Sequence, residues 1–173
     1  MSMVWIASGV PSVGATFFSF TSIPQTFTHL QMRYFVRGSD AGAIAFAALE
    51  INGNRYTTNY SSHTLAGDGT SPYSTSVASG GGVSNLYTSG STTVANSFTS
   101  GIVDALDYTN TNKNKVVRIL HGFDSNGSGQ AIFASGQLLS TAAITSIGLF
   151  NMTFAANCRF DLYGITSSSA TGA

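Results

Sequence analysis

Between Thr28 and Arg37, Leu30, Met32, Tyr34 and Val36 alternate with Gln31, Arg33, Phe35 and Arg37. Successive side chains of a strand point to opposite faces, so this spacing predicts a strand whose first set meets a core. Phe17 to Phe20 predicts a short strand before it, closed at Ile23-Pro24 because proline cannot donate to a ladder. Ala43 to Ile51 mixes helix-favouring Ala and Leu with a sheet face of Ile44, Phe46 and Ala48. The Asn52-Gly53 that follows accepts positive φ at both positions, which decides for a strand and predicts a hairpin into Arg55 to Tyr60. Further strands are expected at Ile102–Tyr108, Lys115–Phe123, Gln130–Leu138, Ile144–Phe150 and Cys158–Ile165, with Cys158 in phase with Phe160 and Leu162.

About eight or nine short strands separated by Asn/Gly/Ser turns predict an all-β fold, an antiparallel two-sheet sandwich, in which each strand gives alternate residues to a shared core. The 173 residues suit a single domain. Residues 1–16 are expected as an N-terminal arm and 166–173 as a flexible tail. The stretch 64–100 breaks the strand spacing with Asp68-Gly69, Ser71-Pro72, Gly80-Gly81-Gly82 and Ser89-Gly90, and is expected to be one long surface loop. Its Tyr73 and Tyr87 are the candidate partner-binding residues, since an exposed tyrosine offers contact area and a hydrogen bond at small entropic cost.

Composition narrows the classes of partner. Only 8% of residues are charged, and seven Lys+Arg balance seven Asp+Glu. With no net field and only Lys113, Lys115 and Arg118 as a basic run, nucleic acid is not an expected partner. A near-neutral surface also lacks the repulsion that keeps free proteins apart, which favours life in an assembly. The longest apolar run, Ala41 to Leu49, is far short of the roughly 20 residues that span a bilayer, so no membrane is expected. The N-terminal stretch has no basic residue before its apolar part and is broken by Pro11, so no secretory signal is expected. Cys158 is the single cysteine, and packing alone must hold the fold.

Candidate chemistry is sparse. No G-x-S-x-G elbow accompanies the three histidines, so His29, His63 and His121 are read as structural. Cys158 is expected as a packed, inert thiol. Asp124 to Gly129 begins like a calcium loop, but its twelfth position is Ser135, which favours a hairpin turn and no metal. Asp104 and Asp107 alternate onto opposite faces and cannot share acid–base work. Gly80-Gly81-Gly82 lacks the Lys-Ser/Thr of a phosphate cradle and is expected to be a flexible loop. No catalytic residues and no cofactor are expected, and the chain is not expected to be an enzyme.

Four pieces lie in order between Phe20 and Ile165: FTSIPQTFTHL at 20–30, Ile51-Asn52-Gly53 with NYSSHTLAGDG at 59–69, DYTNTNKNK at 107–115 with Gly122, and RFDLYGI at 159–165. Together they resemble a broad group of tailed-bacteriophage virion proteins with jelly-roll-like folds. The resemblance implies a structural protein localised to the virion, a capsid decoration or cement protein that stabilises the head. A tail or fibre adhesin binding a host surface glycan is the alternative it leaves open. With so few charges to guard its strand edges and faces the chain is expected to be a homo-oligomer; the resemblance implies that it is a trimer at capsid threefold points, with the major capsid protein or another virion protein as partner. The Gly/Ser-rich stretch after Gly69 is where this sequence departs from the group.

Overall fold

The computed structural model describes residues 2–166, which run through 12 strands and no helix. In chain order they are β1 (Ser2–Gly9), β2 (Phe17–Phe20), β3 (His29–Val36), β4 (Ile44–Ile51), β5 (Tyr60–Gly67) and β6 (Pro72–Gly80). β7 (Val83–Ser89), β8 (Thr99–Ala105), β9 (Lys115–Asp124), β10 (Gly129–Leu138), β11 (Ile147–Phe150) and β12 (Arg159–Thr166) complete them. Two antiparallel sheets result, an eight-stranded one in the order β1-β12-β3-β8-β9-β10-β5-β6 and a four-stranded one in the order β2-β11-β4-β7. With β1, β9, β10 and β12 set aside, the remainder is β3-β8-β5-β6 over β2-β11-β4-β7, and the chain crosses between these sheets in jelly-roll sequence. The β9–β10 hairpin widens the large sheet in its middle, and β12 and β1 extend one side.

The alternation in β3 works as its sequence predicts: Leu30, Met32, Tyr34 and Val36 are buried. Phe160 on β12 stacks on Phe18 of β2 at 4.4 Å and meets Phe154 edge-on at 5.8 Å, which ties the two sheets at the centre of one buried cluster. Cys158 is buried in the phase of Phe160 and Leu162, its thiol pushed up by burial.

Several expectations are corrected. The strand total is 12, above the expected eight or nine, because β1, β6 and β7 carry no clean alternation. The stretch 64–100 is not a surface loop. It contains the end of β5, all of β6 and β7 and the start of β8, and Val83 and Leu86 sit in the core. Asn85, at φ 64°, breaks the local repeat and puts Val83 and Leu86 on one side at a spacing of three, which hides β7 from a period-two reading. The Gly80-Gly81-Gly82 turn is a tight corner between sheets. A Cβ on Gly81 would lie 2.9 Å from the Tyr56 Cα, and one on Gly82 would lie 2.8 Å from the Leu49 carbonyl oxygen.

Residues 2–9 of the expected arm pair with β12 as an edge strand. The expected tail lies outside the described residues except for Thr166, which ends β12. Asn52 and Gly53 do adopt positive φ, 55° and 68°, but the turn makes no hairpin: β4 pairs with β11 and β7, and β5 with β10 and β6. The Asn52 Oδ1 accepts from the Thr145 and Ser146 amides at 2.8 and 3.1 Å, and the Tyr60 hydroxyl accepts from the Ile51 amide at 2.8 Å. These bonds steer the chain from the small sheet to the large one. In β4 the inner set is Ala45, Ala47, Leu49 and Ile51, while Phe46 faces out. The buried Glu50 carboxylate is held by Arg55 Nε at 2.7 Å and by the Ser19 hydroxyl, and Arg55 also covers the Phe17 ring at 3.9 Å.

Candidate functional site

One face of the large sheet packs on the core, so every second residue of its strands lies on an outer face. Cross-strand register lines these residues into rows. One row reads Ser8, Asp161, Arg33, Ile102, Leu120, Phe133, Leu65 and Ser74, one residue from each of the eight strands. Its fourth to seventh members are large, apolar and directly opposed, with exposures of 37% for Ile102, 62% for Leu120, 47% for Phe133 and 60% for Leu65. Val116, also exposed on β9, lies apart from this row, beyond Arg118. Single exposed apolar residues are ordinary, and a contiguous row of them is the candidate contact surface of this sheet.

The rows on either side differ in kind. Toward the β9–β10 turn, Ser100, Gly122, Ala131 and Gly67 oppose one another, and their small side chains leave a groove walled by Ile102 and Leu120 on one side and Phe98 and Phe123 on the other. Toward the other end a polar row reads Trp5, Tyr163, Gln31, Asp104, Arg118, Ser135, His63 and Ser76. Gln31 Nε2 donates to Asp104 at 2.8 Å, Arg33 Nε donates to Gln31 at 2.9 Å, and the Arg33 guanidinium lies 5.1 Å from the Tyr163 ring centre. Arg159 grips Asp161 through two nitrogens at 2.9 and 3.0 Å, and this hydrogen bonding holds the Asp161 carboxyl below its usual range. The charges of the face thus lie on β12, β3, β8 and β9, with Arg159 and Asp161 paired, and the three strands β10, β5 and β6 have none.

Tyr73 and Tyr87 are on strands, half-buried, and each ring is engaged. Tyr73, on β6, donates its hydroxyl to Gln130 at 3.0 Å, and burial raises its pKa. Tyr87, on β7, packs edge-on against Phe46 at 5.3 Å. Neither belongs to the apolar row. That row could be found in sequence only from strands that are apolar in both phases: Lys115-Val-Val-Arg-Ile-Leu-His121 offers Val117 and Ile119 inward and Val116 and Leu120 outward.

The histidines are dispersed. His29 Nδ1 accepts from the Asp107 amide at 3.0 Å, and Asp107 is also held by Lys113 at 2.9 Å, which lowers its pKa. His63 lies on the outer face. His121 is buried beside Tyr34, ring centres 6.3 Å apart, and neither ring nitrogen nor the Tyr34 hydroxyl has a hydrogen-bond partner. Asp124 accepts from the Gly127 amide at 3.1 Å in the β9–β10 hairpin turn. Among the described residues no group of His, Cys, Asp and Glu is arranged to hold a metal ion.

No protein-family model, curated protein or solved structure matches this chain.

Proposed function

We infer that this chain is a non-enzymatic structural protein of a tailed-phage virion, a decoration or cement protein whose large sheet lies against the protein shell of the head. The opposed, exposed row Ile102–Leu120–Phe133–Leu65 carries this reading. Strands spaced about 4.8 Å apart make an eight-stranded face nearly 40 Å wide, and three rows of side chains give it about 20 Å of depth. That area is close to the roughly 800 Å² per partner of a standard protein interface. A core of large apolar side chains with polar groups around it is also the anatomy of such interfaces. The jelly-roll order of strands and the four sequence pieces that resemble virion proteins point the same way.

The polar row beside it supports a second reading. Exposed Trp5, the Arg33-covered Tyr163 and the amide and carboxylate of Gln31 and Asp104 offer the ring faces and planar hydrogen-bonding groups that a glycan uses, as a tail or fibre adhesin would require.

Head shells lacking the protein, mixed with the purified chain and sedimented, test the first reading. Leu120→Glu and Phe133→Ser should each lower binding at least tenfold while leaving the melting temperature within a few degrees, because both side chains are exposed. Raising salt several-fold should change wild-type binding little. Wild-type protein that fails to co-sediment refutes the cement role, and a handful of copies per particle rather than hundreds would place the protein in the tail.

A further inference from the structure

Among the described residues the large sheet ends in two strands that carry no charge; each has one bulge, at Ile6 in β1 and between Val77 and Gly80 in β6, which leaves Ser2–Trp5 and Pro72–Val77 as regular edges. Edge strands expose a row of unpaired backbone groups and are normally protected by charge, by proline, by brevity or by bulges, and a bulge guards only the part of the strand beyond it. β1 has eight residues and β6 nine, and neither contains Asp, Glu, Lys or Arg. The only proline is Pro72, at the first position of β6. β1 is apolar on both sides, with Met3 and Val4 each 45% exposed and Trp5 60%. The small sheet's edges are different: β2 has four residues and is covered by Arg55 on Phe17, and β7 is tied to β6 by the Asn85 amide donating to Thr75 at 3.0 Å.

We propose that β1 of one copy pairs with β6 of the next, so that the chain assembles head to tail through a continued sheet. Every pairing in the large sheet is antiparallel and it holds an even number of strands, so β1 and β6 run in opposite directions. Two copies placed side by side in the same orientation therefore meet as an antiparallel pair of nearly equal length. The backbone supplies the bonds, and the apolar side chains of β1 are covered against Ser/Thr-rich β6 without any charge to desolvate. Each copy has one edge of each kind, which makes the contact heterologous, and such contacts close into rings when the rotation per subunit permits. This rests on the reading of the chain as an assembly subunit, but the experiment needs no shell, so it can fail while shell binding stands.

Two variants separate the geometries. Val4→Lys with Trp5→Lys puts a charge on each side of β1, and Ser74→Lys with Ser76→Lys puts two on the outer side of β6 while keeping the Thr75–Asn85 bond; all four positions are exposed. Light scattering at tens of micromolar, with circular dichroism to confirm the fold, is the readout. The wild type is expected to be a small closed oligomer and each variant a monomer. An equimolar mixture of the two should form a dimer, because one carries an intact β6 and the other an intact β1. A monomeric wild type overturns the proposal. So does a variant that still assembles alone, which indicates β1–β1, β6–β6 or face-to-face contact, and so does a mixture of folded monomers that forms no dimer.

Discussion

Acidification from pH 7 to pH 4 is expected to destabilise the fold by about 3 kcal/mol through one side chain, His121. The ring is 4% exposed, and burial pushes its pKa down from 6.5 to about 4. In the unfolded chain the imidazole takes up a proton as pH falls through about 6.5, whereas in the fold it stays neutral until about 4. Between those values the unfolded state binds more protons, so stability rises with pH across the window, is complete above 6.5 and is lost on the way down to 4. A difference of about 2.5 pH units at about 1.36 kcal/mol each gives the magnitude. Asp68, Asp107 and Asp161, whose pKa values are lowered in the fold, begin to cost stability only as pH nears the ordinary carboxylate range, and they do so equally in wild type and variant. Urea unfolding of wild type and His121→Leu at pH 7, 6, 5 and 4.5 is the assay. The variant removes two buried nitrogens that lack partners, so it should match or exceed the wild type at pH 7 and lose less stability toward pH 4.5. Parallel curves for the two proteins would refute the assignment.

Phe160→Ala should cost about 3–5 kcal/mol in urea unfolding, at the upper end because ring contacts with Phe18, Tyr34 and Phe154 are lost together. Tyr34→Phe should raise stability by about 1 kcal/mol, since its buried hydroxyl has no partner to lose. Gly101→Ala should be destabilising by thermal melting, because its Cβ would lie 2.1 Å from the Tyr34 ring, and pairing it with Tyr34→Ala should restore part of the loss. Replacing Gly69 to Asn96 by a short Gly-Ser turn should abolish cooperative unfolding, since it deletes β6, β7, Val83 and Leu86 from the sandwich.

The parts of the fold that were legible are those where one strand carries one clean phase. β3 and β12 sit between neighbours on both edges with one face inside, and so Leu30 to Val36 and Cys158 to Leu162 announce their buried side by alternation. The segments that misled are edges and corners. β6 is exposed along most of its length and needs no apolar repeat, so Ser/Thr composition there reads as loop. The turn at Asn52-Gly53 shows the limit of local signals: positive φ is a property of those two residues, while the partner of the next strand is chosen by Asn52 bonding to residues 143–146 and Tyr60 bonding back to Ile51.

Tyr73 and Tyr87 mark the same limit for the site. Their chemistry suits partner contact, but one ring is bonded to Gln130 and the other packed on Phe46, both distant in sequence. By itself the sequence determined the all-β class, the strand periods, the neutral low-charge surface and the buried cysteine, since each depends on composition or on residues a few positions apart. Only the tertiary structure decided the register that sets Ile102, Leu120, Phe133 and Leu65 side by side, and the strand order that puts β1 and β6 at the two ends of the large sheet among the described residues. Those features come from pairings between segments tens of residues apart. Long-range hydrogen bonding and core packing select them, and no local pattern encodes them.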